Sequence, residues 1–187
     1  MQHPFQVIPL NLSNLLLLLL TFLTVLFMVL LDKLGKPLKQ SPRSPMGIVS
    51  LEFAARPADA MQMIQSWGNA IRNAKQIFWL DFPFLVLYST ALSLGCIWAT
   101  RASSNPDWIN AGVVLAWNQG LAGLFDIVEN LAMSSFLFRN IQGLEVRSMD
   151  RLLTLTTVVS AKVKFSLIFL GLLYIVIAVG LRVFQIE

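Results

Sequence analysis

The stretch from Ile109 to Arg139 constrains the fold most, because it is long and apolar yet carries ionisable side chains well inside it. On a helix, its small and polar residues recur at spacings of three and four and form one stripe. The members of this stripe are Gly112, Ala116, Gln119, Gly123, Asp126, Asn130 and Ser134, with Glu129 one step to the side. A charge that faces lipid is costly, so we expect the stripe to face other helices.

Two interpretations of this stripe remain open. In the structural one, it is a packing face with a single layer of buried ion pairs, and Gly112, Ala116 and Gly120, spaced by four, let a neighbouring backbone approach closely. In the functional one, the carboxylates form a ligand or ion site. The structural interpretation is the commoner of the two, because buried ion pairs make the same pattern.

The composition indicates an integral membrane protein. Of the 187 residues, 56% are hydrophobic and 13% are charged, whereas a soluble domain has about 25% charged residues. We predict an all-α fold, a four-helix membrane bundle forming one domain over residues 1–187, with an additional amphipathic helix in the first connection. The predicted spans are residues 13–32, 78–100, 108–138 and 152–184, and the first connection is 33–76.

The first connection leaves two questions open. Residues 47–55 are short, apolar and interrupted by Glu52, so they either enter the membrane interface or pack on the bundle. A helix is predicted to begin near Pro57, since proline and an acid are typical of a first helical turn. Its apolar face, which includes Ile64 and Trp67, either lies at the membrane surface with Trp67 among the headgroups or packs on the cytoplasmic ends of the bundle.

The basic residues predict the orientation. The first connection carries Lys33, Lys36, Lys39, Arg43, Arg56, Arg72 and Lys75, and the third carries Arg139, Arg147 and Arg151. The opposite side has only Arg101 and Arg182. The positive-inside rule therefore places connections 33–76 and 139–150 in the cytoplasm and both termini outside.

Each predicted helix has an apolar outer stretch of 17 or 18 residues, and a charge lies at the inner end of each stretch; the stretches are 15–31, 82–99, 109–125 and 165–181. These charges belong to Asp32, Asp81, Asp126 and Lys164. We expect a layer of ionisable groups near the cytoplasmic boundary of the hydrocarbon. In this layer Lys162 and Lys164 act as counter-ions to Asp81, Asp126 and Glu129, because an isolated buried charge would cost several kcal/mol.

Several kinds of chemistry are disfavoured. One cysteine cannot build a zinc site, and one histidine, His3, argues against haem or histidine-held metals, so we expect no metal and no cofactor. Asp126 and Glu129 alone leave magnesium with a phosphate substrate open. We find no nucleophile elbow and no phosphate-binding loop. The sequence also has no basic stripe with interleaved aromatics, so nucleic acid is not an expected partner.

Four short motifs together resemble an uncharacterised bacterial family of four-span integral membrane proteins. They are GIVSLEFA from Gly47, Gln65-Ser66-Trp67, Leu80-Asp81-Phe82 and Asp126-x-x-Glu129-Asn130. The resemblance implies a bacterial inner-membrane location. It also implies one site formed by Glu52, Asp81, Asp126, Glu129 and Asn130, and it carries no activity.

Three functions fit these residues. The first is a binding or accessory protein that holds a lipid-like or other apolar molecule, or a helix of another membrane protein, against the polar layer. The second is an enzyme that uses Asp126 and Glu129 as acid and base on an apolar substrate. The third is a proton or ion pathway through the same carboxylates.

Overall fold

The computed structural model describes residues 2–141 and 148–184, and these residues form helices and no strand. The α-helices are α1 (Leu10–Gly35), α2 (Ile48–Glu52), α3 (Pro57–Ser66), α4 (Ile71–Ala99), α5 (Pro106–Ile141) and α6 (Ser148–Phe184). Short 3-10 turns occupy Lys36–Gln40, Gly68–Ala70 and Thr100–Ala102. The prediction of an all-α fold is confirmed.

Four helical segments are long and apolar enough to cross a membrane, as the sequence predicted. They are Asn11–Gln40, Gly68–Ala102, Pro106–Phe138 and Ser148–Phe184. None of the residues in the most apolar stretch of the first segment is buried, and Leu18 and Phe22 of α1 are 70% and 65% exposed. An apolar surface of this kind is stable in lipid and unfavourable in water.

The helix ends differ in detail from the predicted spans. Helix α4 begins at Ile71, before the predicted start at residue 78, and it continues through Pro83. Proline is tolerated in membrane helices because neighbouring groups satisfy the backbone it frees. Residues 142–147 of the predicted third connection, including Arg147, and the side chain of Arg139 lie outside the described residues.

The chain divides into two compact units. The first unit comprises Met1–Val25, Leu85–Leu124 and Lys164–Glu187, and the second comprises Leu26–Phe84 and Phe125–Val163. Parts of α1, α4, α5 and α6 therefore occur in both units.

The core of the first unit is built from small and aromatic side chains. Its buried members are Cys96, Ala99, Ala116, Tyr174 and Ala178. The rings of Trp108 and Tyr174 stack with centroids 4.2 Å apart, and the Tyr174 hydroxyl donates to the backbone oxygen of Trp108 over 2.8 Å. This contact holds α6 against the first turn of α5.

The core of the second unit answers both questions about the first connection. Leu51 of α2 and Ile64 of α3 pack in one cluster with Phe78 of α4 and Leu137 of α5. Trp67 belongs to the same cluster, is 4% exposed and donates its indole N–H to Ser44 Oγ over 2.7 Å. The connection therefore packs on the long helices, and the interpretation that places Trp67 among headgroups does not hold.

Candidate functional site: buried carboxylates of the second unit

The polar stripe of α5 lies where its spacing predicted. Gly112, Ala116, Gln119, Gly123, Asp126 and Asn130 are all buried, and Ser134 is half-buried. Val114, Leu121 and Val128 on the opposite side are exposed. The helix thus turns its polar face inward and its apolar face outward, which is the favourable arrangement in lipid.

The ionisable end of this stripe lies in the second unit. Asp126 is 3% exposed and Glu129 is fully buried, so neither carboxylate faces the surroundings of the protein. Asn130 is 3% exposed and donates from its side-chain amide to Oδ2 of Asp81 on α4. The structure therefore brings together Asp81 and Asn130, which the sequence had assigned to one site.

Glu52 is also buried in the second unit. It ends the five-residue helix α2 and is 7% exposed, while the preceding residue, Leu51, packs in the core cluster. Because Leu51 packs in the core, the carboxylate of the adjacent Glu52 is buried as well. Glu52, Asp81, Asp126, Glu129 and Asn130, which we call the carboxylate set, all belong to this unit.

The two predicted counter-ions, Lys162 and Lys164, differ in their exposure. Lys164 is 6% exposed, belongs to the first unit and places its Nζ 4.9 Å from the centre of the Phe165 ring. Lys162 belongs to the second unit and is exposed. The pairing of these lysines with the carboxylates stays a prediction. Asp32, at the same predicted level, forms an exposed ion pair with Lys39 at 2.6 Å.

The sequence analysis missed a second buried polar face, on α6. It consists of Asp150, Thr154, Thr157 and Ser160, each at most 5% exposed. The Thr154 hydroxyl donates to the backbone oxygen of Asp150 and the Thr157 hydroxyl to that of Leu153, each over 3.0 Å. The signal was present as spacings of four and three, but hydroxyl residues that bond to their own helix are weak markers of a site.

The small residues of α5 do not all act as predicted. A Cβ added at Gly112 would lie 2.5 Å from both the Tyr174 hydroxyl and the Thr100 methyl carbon. At Gly120 it would meet nothing within 4 Å. Close packing thus involves Gly112 and not Gly120, because Gly120 lies on the exposed side of the helix.

The carboxylates of Glu52, Asp126 and Glu129 are hydrogen-bond acceptors in a buried environment. Carboxylate oxygens accept from N–H and O–H groups, and such bonds strengthen where water is excluded. Across residues 2–141 and 148–184, no group of three His, Cys, Asp or Glu side chains is placed to hold a metal ion. The arrangement is suited to a ligand that presents a donor group.

Comparison with other proteins adds no assignment to this geometry. The chain matches no family model, no curated protein and no solved structure. The resemblance to a bacterial four-span family accordingly stays a prediction. The grouping of the carboxylate set rests on the burial of Glu52, Asp126, Glu129 and Asn130 and on the contact between Asn130 and the half-buried Asp81.

Proposed function

We propose that this protein is a multi-pass protein of the bacterial inner membrane that binds a lipid-like or other apolar molecule at its carboxylate set. The ligand would carry an O–H or N–H donor on an apolar body. A helix of another membrane protein with a donor side chain would satisfy the same chemistry. The orientation follows the positive-inside rule, with connections 33–76 and 139–150 in the cytoplasm.

The observation that carries the proposal is the burial of Asp126 and Glu129, at 3% and 0% exposure, on a helix whose opposite face is apolar. Carboxylates in a membrane-spanning helix are costly, and ionisable residues at such positions mark binding sites and ion pathways in many membrane proteins. Glu52 supports the proposal, because the connection between the first two spans adds an acceptor to the same unit.

The test is to identify what the purified protein retains. We would extract the wild-type protein in mild detergent and compare its bound molecules by native mass spectrometry with those of Glu129→Gln and Asp107→Asn. Asp107 is an exposed acid in the first turn of α5 and serves as the matched control. We expect wild type and Asp107→Asn to retain the same apolar molecule and Glu129→Gln to lose most of it. Identical bound lipid in all three proteins would contradict the proposal.

An enzyme acting on an apolar substrate is the second candidate. It is favoured by the spacing of Asp126 and Glu129, which are both buried and lie about one helical turn apart on α5. Asp126→Asn that folds normally but no longer converts an extracted lipid would support this candidate. A current or pH change in liposomes that requires the same residues would instead support an ion pathway.

A further inference from the structure

A groove of about 520 Å³ lies on the second unit, and no member of the carboxylate set lines it. Two short stretches line it, residues 37–43 and 66–70. Among the described residues, Arg43 is the one charged residue that lines the groove, and no acidic residue contributes to its wall.

The two stretches are tied together by a chain of hydrogen bonds. The backbone N–H of Arg43 donates to Ser41 Oγ over 3.2 Å, and Ser41 Oγ and Ser66 Oγ are hydrogen-bonded at 2.6 Å. Ser66 Oγ in turn donates to the backbone oxygen of Met63 over 2.6 Å. Trp67, buried beneath the groove, is anchored on Ser44. The groove is thus a formed feature and not a gap between loose segments.

The groove presents hydrogen-bond donors. A guanidinium has five N–H groups, and one nitrogen of Arg43 bonds to Oε1 of Gln62. The side-chain amides of Gln40 and Asn69 also line the groove, and both are exposed and make no hydrogen bond within the described part of the chain. Arginine and amide donors in one concave surface are the set that proteins use for phosphate oxygens.

The position of the groove indicates where such a phosphate would come from. Its stretches flank Gln40, where the first candidate membrane segment ends, and Gly68, where the second begins. Residues 33–76 contain seven lysines and arginines but only two acids, Glu52 and Asp59, and Glu52 is buried. A basic cluster directly beside membrane-spanning helices attracts anionic lipids.

We propose that this groove binds a phosphate group, held by the guanidinium of Arg43 and the side-chain amides of Gln40 and Asn69. The chemistry is shared by the headgroup of an anionic phospholipid and by free phosphate. The excess of basic residues in this connection favours the headgroup. This site is independent of the function proposed for the carboxylate set.

The experiment compares Arg43→Gln with Arg56→Gln. Both residues are exposed arginines of the same connection, both changes remove one positive charge, and Arg56 does not line the groove. The delipidated proteins are titrated with phosphatidylglycerol or phosphatidylcholine, and binding is followed by native mass spectrometry. We expect wild type and Arg56→Gln to prefer phosphatidylglycerol and Arg43→Gln to bind it roughly tenfold more weakly, as loss of one charge-assisted hydrogen bond predicts.

A second arm distinguishes the sources of the phosphate. Inorganic phosphate that stabilises the delipidated wild type but not Arg43→Gln, with no preference for phosphatidylglycerol, identifies free phosphate as the ligand. If Arg43→Gln and Arg56→Gln weakened phosphatidylglycerol binding equally, the binding would reflect general charge attraction and the proposed site would be overturned. Asn69→Leu, which removes an amide donor without a change of charge, should also weaken binding, and it carries the test should Arg43→Gln fail to fold. Unchanged binding in both groove variants would likewise overturn the proposal.

Discussion

Asn130 on α5 donates a hydrogen bond from its side-chain amide to the carboxylate of Asp81 on α4. The two residues are 49 positions apart in the chain, and the contact joins two of the four long apolar helices inside the second unit. Asn130 is buried, so the bond forms where few water molecules compete for either group.

This bond predicts an energetic coupling between the two residues. Asn130→Ala and Asp81→Ala should each destabilise the protein, and the double variant should lose less than the sum of the two. The expected coupling is about 1–2 kcal/mol, the range for a hydrogen bond to a charged group and for polar contacts between membrane helices. A double-mutant cycle of unfolding in detergent measures it. Strictly additive losses would mean that the contact contributes nothing.

The contrast between Gly112 and Gly120 predicts opposite effects of the same substitution. Gly112→Ala would place a methyl group 2.5 Å from the Tyr174 hydroxyl and disturb its bond to Trp108, so we expect a loss of about 1–3 kcal/mol. Gly120→Ala meets no neighbour and removes a flexible residue from a helix, so it should be neutral or stabilising by up to about 1 kcal/mol. Thermal unfolding of both variants in one detergent checks this. Equal effects would contradict the packing at Gly112.

The anchoring of Trp67 predicts that the first connection loosens when the indole N–H is removed. Trp67→Phe should lower stability by about 1 kcal/mol or more, because the hydrogen bond to Ser44 is lost in a buried environment. Ser44→Ala should have less effect in the Trp67→Phe background than in wild type.

Fluorescence quenching gives an independent check on the position of Trp67. Brominated lipids quench indoles that contact the bilayer. Because Trp67 is buried in the protein, the amount of fluorescence that these lipids quench should be the same in the wild type and in Trp67→Phe. A strong drop in quenching on removal of Trp67 would restore the interfacial interpretation of α3.

The different exposure of Lys162 and Lys164 on α6 predicts different effects of the same substitution. Lys164→Ala should destabilise the protein by roughly 1–3 kcal/mol, since its side chain is 6% exposed and its loss removes packing as well as charge. Lys162→Ala should change stability by no more than about 0.5 kcal/mol, because Lys162 is exposed. Unfolding of both variants under the same conditions compares them. A larger effect at Lys162 would be inconsistent with the burial seen here.

The sequence by itself determined the elements that depend on local pattern. Apolar runs of membrane-spanning length predicted the four long helices, and the period of α5 predicted which of its faces is buried. These features follow from helix geometry and the cost of charge in lipid, both of which act within one segment.

Only the tertiary structure decided which segments meet. The burial of Trp67, the inward position of Glu52 and the difference between Lys162 and Lys164 depend on side chains from distant parts of the chain. The bond between Asn130 and Asp81 likewise required both helices in place. Hydrophobic pattern fixes which face of a helix is apolar, but the partner of that face is set by packing, which no single segment encodes.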